Sequence, residues 1–145
     1  MFGELVSAFV IVTICLGLHV SCMFLLARWL IGWNIVAHAY LPSIRSASLL
    51  SVTFLVIIIL HVIEAAIWAV FYYQSGLFQD FETSFYFSIG SYTTIGYGDV
   101  VLPRAWRMLG GIEGLAGVLL CGLSTAFVFA VVNAMFQRRL AQPDT

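Results

Sequence analysis

Residues 93–99 read Thr93-Thr94-Ile95-Gly96-Tyr97-Gly98-Asp99. Their types suit one kind of chemistry, the coordination of a dehydrated cation by backbone oxygen. Two glycines at alternate positions allow backbone angles closed to other residues. Such a strip can aim successive carbonyl oxygens to one side, and a ring of carbonyls replaces an ion's hydration shell. The Thr94 hydroxyl adds one more oxygen layer at the inner end. Phosphate-binding loops, Cys-rich metal motifs and nucleophile–base pairs are missing from the sequence, so an enzyme is not expected. His19, His38 and His61 do not have the spacing of a metal site, and packing or interface roles are expected for them.

The elements that position this strip must lie in a membrane. Of 145 residues, 62% are apolar and only 9% are charged, and the mean hydropathy is +1.04. A soluble domain carries roughly 25% charged residues. This composition excludes a soluble globule and a disordered chain. The net charge of −1 leaves no basic field for nucleic acid. Three apolar stretches, 5–26, 49–73 and 108–136, are long enough to span. The first is read as a retained helix and not a signal peptide, because Glu4 precedes it, no basic residue does, and it is too long. Residues 28–42 hold Trp29, Trp33, His38 and Tyr40, which suits an interfacial connector. Pro42 is expected to end it before a helix capped by Ser46 or Ser48. Cys15, Cys22 and Cys121 are expected to be free thiols in the core. No helix carries the regular Arg spacing of a voltage sensor.

All six cations are Arg. Arg28, Arg45, Arg138 and Arg139 fall on one side, against Arg104 and Arg107 with Glu4, Asp80, Glu82 and Asp99 on the other. That bias predicts a cytoplasmic C-terminus, with the N-terminus and residues 74–107 outside.

In this span–loop–span setting the motif at 93–99 resembles the filter of the potassium channels, with Ile95 where Val is more common. The likeness is closest to bacterial two-helix pore channels and covers residues 47–136, leaving the first helix outside it. It implies an all-α membrane protein of three transmembrane helices, with a re-entrant pore helix at 81–92. The carbonyls of Thr94, Ile95, Gly96 and Tyr97, with the Thr94 side chain, would bind potassium ions in file. Gly98 closes the filter and Asp99 stands at the outer mouth. The Tyr97 ring would point into an aromatic cuff made by Tyr86 and Phe87. One strip is a quarter of a ring, so a homotetramer in the lipid bilayer is implied, with potassium as permeant ligand and no cofactor.

The resemblance extends to the third span. Gly122-Leu123-Ser124-Thr125-Ala126 resembles the family's inner-helix pattern, and Gly117 falls at its hinge position. Bending and packing both remain open for Gly117. Packing is expected for Gly110, Gly111 and Gly114. The same register turns Val118, Cys121 and Thr125 toward an inner cavity and sets Phe129 and Asn133 near the cytoplasmic constriction. Phe129 either gates there by dewetting or faces lipid. Gly90 stands where some relatives carry a Glu that pairs with the filter Asp, so Asp99 needs another partner.

Glu64 and Glu113 lie within spans, where an acid is expected to face protein and have partners. Glu113 should sit behind the filter, within reach of Ser88 or Ser91. Glu64 shares a helix face with His61. Bracing and proton sensing are the two roles weighed for both acids. The sequence thus predicts two domains: an N-terminal helix and connector at 1–46, and a pore domain at 47–145. The predicted function is passive, selective potassium conduction, in the plasma membrane of a prokaryote. A weakly selective cation channel and a non-conducting scaffold are the rivals. The first helix is expected to pack on the second, to serve assembly, or to bind a regulatory partner.

Overall fold

The computed structural model describes residues 2–32 and 43–140. The expectations for Trp33, His38, Tyr40 and Pro42 lie outside the described residues. The chain is all-α. It comprises α1 (Phe2–Gly32), α2 (Ser43–Gln74), α3 (Phe81–Tyr92), a 3-10 turn at Arg104–Trp106 and α4 (Arg107–Leu140). At about 1.5 Å per residue, helices of 31, 32 and 34 residues exceed the roughly 30 Å of a bilayer core. Each is apolar on its outward side, where Phe9, Leu25, Leu55, Ile58, Leu115 and Leu119 are exposed. A helix of 12 residues, α3, is too short to cross and needs neighbours to satisfy its ends.

α2 begins at Ser43. Ser46 and Ser48 therefore lie inside the helix and not at its start, a correction to the expected boundary. Nothing in 43–50 opposes an earlier start, since Ser, Arg and Ala all tolerate the first turns. The helix runs unbroken through the predicted 46/47 division. At its other end Gly76 takes φ +65°, and the Leu77 and Ser75 N–H groups return to Tyr72 and Phe71 carbonyls. This left-handed closure needs glycine.

α3 is wedged between α2 and α4, while α1 packs on both α2 and α4. The first helix thus has two partners where the sequence suggested one. Two apolar clusters hold the bundle. Ala8, Ile11 and Cys15 meet Ala65, Trp68, Tyr72, Tyr92, Leu109 and Leu120 at the α3 level. Met23, Leu26 and Leu30 meet Ile57 and Leu60 further along. This pairing makes α1 antiparallel to α2. Between the clusters lies a buried polar layer containing His19 and Glu64.

Candidate functional site

The strip begins where α3 ends. Asp80 starts the helix: its carboxylate accepts from the Thr83 N–H at 2.7 Å and the Thr83 hydroxyl at 2.9 Å. Those bonds hold the Asp80 carboxyl below its ordinary range, the backbone bond contributing most. At the far end the Thr93 N–H donates to Ile89 O at 3.0 Å, and the Thr94 N–H to Ser91 O at 2.9 Å. The Gly96 N–H reaches back to Gly90 O at 3.0 Å. These bonds hang the strip from the carbonyl end of a helix, which carries partial negative charge and favours cations.

Within the strip φ is +60° at Thr94, +53° at Gly96 and +82° at Gly98, while the residues between keep negative φ. In a strand, successive carbonyls face opposite sides. Reversing backbone handedness at every second residue cancels that alternation, so the carbonyls can share a side. Thr94 is a β-branched residue in the left-handed region, held there against about 1–3 kcal/mol of strain. Such strain points to a functional segment. All of 93–99 is exposed in the single chain.

The Tyr97 ring stacks on Tyr86, with centroids 6.0 Å apart and planes 11° apart. The Tyr86 hydroxyl donates to Asp99 Oδ2 at 2.8 Å, which raises the Tyr86 pKa. Asp99 Oδ1 accepts from the Val100 N–H. Tyr86 is therefore the partner that the absence of a Glu at position 90 required. Phe87 turns away from Tyr97 within this chain and packs on Tyr72 and Phe78, 5.3 and 5.2 Å between centroids.

Behind α3, α4 comes close through its glycines. A Cβ at Gly110 would lie 3.1 Å from Phe87, and one at Gly114 2.9 Å from the Ser91 carbonyl oxygen. At Gly117 it would lie 2.0 Å from the Tyr92 carbonyl oxygen. Packing at Gly117 thus has a direct contact behind it, in a helix that runs unbroken through the position. Glu113 is fully buried on the same face. Its carboxyl meets the Ser88 hydroxyl at 2.5 Å and the Tyr72 hydroxyl at 2.7 Å. Ser88 Oγ also lies 2.6 Å from Ala65 O, so one hydroxyl proton serves two oxygens.

The polar layer draws on all four helices. His19 Nδ1 lies 2.9 Å from Glu64 Oε1. The Tyr92 hydroxyl donates to Glu64 Oε2 at 2.5 Å and lies 2.8 Å from His61 Nδ1. The two distal ring nitrogens, His19 Nε2 and His61 Nε2, each lie 3.2 Å from Ser124 Oγ. His19 and His61, separate in the sequence reading, have ring centroids 5.3 Å apart. Among the described residues the buried side-chain polar atom without a partner is Trp68 Nε1, so both intramembrane acids are satisfied. Sequence reasoning missed His19, Tyr92 and Ser124 here. A polar residue on an otherwise apolar span was the available signal.

Val118, Cys121, Thr125, Phe129 and Asn133 follow helical spacing along α4, off the buried face of Glu113, Gly117, Leu120 and Ser124, and all five are exposed. Cys15 is buried and Cys121 exposed, and all three thiols are free.

A family model described as ion channel matches residues 56–134, just over half of the chain. That match takes in α2 from its middle, α3, the strip and most of α4. No match was found among curated proteins or solved structures.

Proposed function

The chain belongs to that ion-channel family, and from this premise we propose that it is a homotetrameric, potassium-selective channel that conducts passively down the electrochemical gradient. The observation that carries the reading is the alternating positive φ at Thr94, Gly96 and Gly98. Four such strips, one per chain, form rings of carbonyl oxygen from Thr94, Ile95, Gly96 and Tyr97. The Thr94 hydroxyl adds the innermost layer, and Gly98 and Asp99 the outer mouth. A single chain leaves Tyr97, outside the spans, 67% exposed, which supports an assembly that covers it. Tyr86 braces Tyr97 within the chain, and Phe87 supports the same helix from behind. Val118, Cys121 and Thr125 line the inner cavity, with Phe129 and Asn133 at its cytoplasmic end. The Arg distribution supports a strip outside and a cytoplasmic C-terminus.

The test is flux. Purified protein in liposomes should pass potassium and exclude sodium. Equal fluxes would favour a weakly selective pore, and no flux in any condition would favour a scaffold.

A further inference from the structure

The polar layer gathers the donor set of a metal site. One nitrogen from each of His19 and His61 and one Glu64 carboxylate oxygen all lie within 4.8 Å of one another. Tetrahedral ligands of a zinc-sized ion sit about 3.3 Å apart. Here His19 Nδ1 lies 2.9 Å from Glu64 Oε1 and His61 Nδ1 lies 3.2 Å from Glu64 Oε2. A small rotation of the carboxylate would bring two imidazoles and one carboxylate oxygen around one point, with the Tyr92 hydroxyl beside it.

The proton count is more telling. Against an ionised Glu64, His19 Nδ1 must donate. The Tyr92 proton goes to Glu64, so His61 Nδ1 must donate as well. Both Nε2 atoms then need a proton from Ser124, which has one. A metal on the two Nδ1 atoms reverses the arrangement. Each Nε2 then carries the ring proton and donates to Ser124 Oγ, whose two lone pairs accept both. Metal-bound imidazoles are commonly oriented by such a bond from the other ring nitrogen. A third imidazole proton closes the count too, so the deciding measurement must read metal, not pH.

His61 is 17% exposed and borders a cavity of about 210 Å³ whose lining includes Phe54, Ile57, Cys121, Ser124 and Thr125.

We infer that His19, His61 and Glu64, with Ser124 orienting both rings and the Tyr92 hydroxyl keeping its proton on the second Glu64 oxygen, form a three-ligand site with an open fourth position for a divalent transition-metal ion that prefers nitrogen and oxygen donors, such as zinc. His19 lies outside the family match at 56–134, so the site ties the added helix to the pore helix. The inference rests on the cluster's geometry and not on which ion the pore selects.

The experiment uses the full chain in lipid nanodiscs, stripped with chelator, in a Cys121→Ser background that removes the thiol on the cavity wall. Zinc titration should show one ion per chain, and cobalt should give the intense visible bands of tetrahedral coordination. His19→Gln should weaken zinc binding at least 100-fold, and Ser124→Ala by about 10- to 100-fold. Zinc uptake that is equal in the parent and His19→Gln, or absent from both, overturns the site. Should His19→Gln fail to fold, the parent's cobalt spectrum and Ser124→Ala decide. Octahedral bands, or unchanged affinity in Ser124→Ala, also overturn it.

Discussion

The strip at 93–99 and the polar layer around Glu64 adjoin at Tyr92, yet they are made differently. The strip uses consecutive residues and mainly backbone atoms, it is exposed in one chain, and its special feature is the sign of φ. The layer uses side chains from four helices, closes on itself, and is buried at His19 and Glu64. Where backbone carries the chemistry, side-chain identity should matter little and conformation a great deal. In the layer, each heteroatom should matter.

The first way to break that contrast is Gly98→Ala. Gly98 sits at φ +82° with open space around it in the single chain, so within the chain the added methyl meets a conformational penalty of about 1–2 kcal/mol. Liposome flux should fall at least 100-fold, while Ile95→Val, which leaves the backbone alone, should conduct normally. Unimpaired flux in Gly98→Ala would end the backbone reading. Next comes Gly117→Ala, whose Cβ would stand 2.0 Å from the Tyr92 carbonyl oxygen. Overpacking of that kind costs about 3 kcal/mol or more, and denaturant unfolding in detergent should show it. Tyr92→Phe is smaller. It removes the hydroxyl between Glu64 and His61 and should destabilise by about 1–3 kcal/mol.

Smaller still is Glu113→Gln. A carboxamide donates where a carboxylate only accepts, so it relieves Ser88, whose single proton faces two oxygens. Stability should change by less than about 1 kcal/mol, and potassium selectivity should be kept. A collapse of either would mean that Glu113 must be ionised. The smallest effect is that of Tyr86→Phe. The Tyr86 pKa is raised by its bond to Asp99. The bond's contribution is therefore full below the ordinary tyrosine pKa of about 10 and fades as pH rises through the higher folded value. Wild-type stability should fall at strongly alkaline pH more than that of Tyr86→Phe.

What could be read from the sequence follows the same divide. The three spans rest on unbroken local apolar patterns, the short helix at 81–92 was what the motif's resemblance implied, and helices lie at all four places. The strip was legible for the same reason: seven adjacent residues announce it. The polar layer was not, because 45 residues separate His19 from Glu64 and 63 separate His61 from Ser124. Spacing along a chain says nothing about contacts between helices. The docking of α1 on α4 was hidden likewise, since a helix apolar on all sides does not declare which face it buries. Partners for Glu113 were half legible. Ser88 was within reach by position, whereas Tyr72 comes from the helix opposite.

The bare backbone of Gly117 against the Tyr92 carbonyl has a mechanical consequence. At Gly117 itself no side chain lies between α4 and the last residue of α3 to absorb displacement. If α4 tilts or rotates, Tyr92 must follow or the contact must open, and Thr93 begins the strip one bond later. The two ends of the candidate pathway are therefore joined by a stiff linkage.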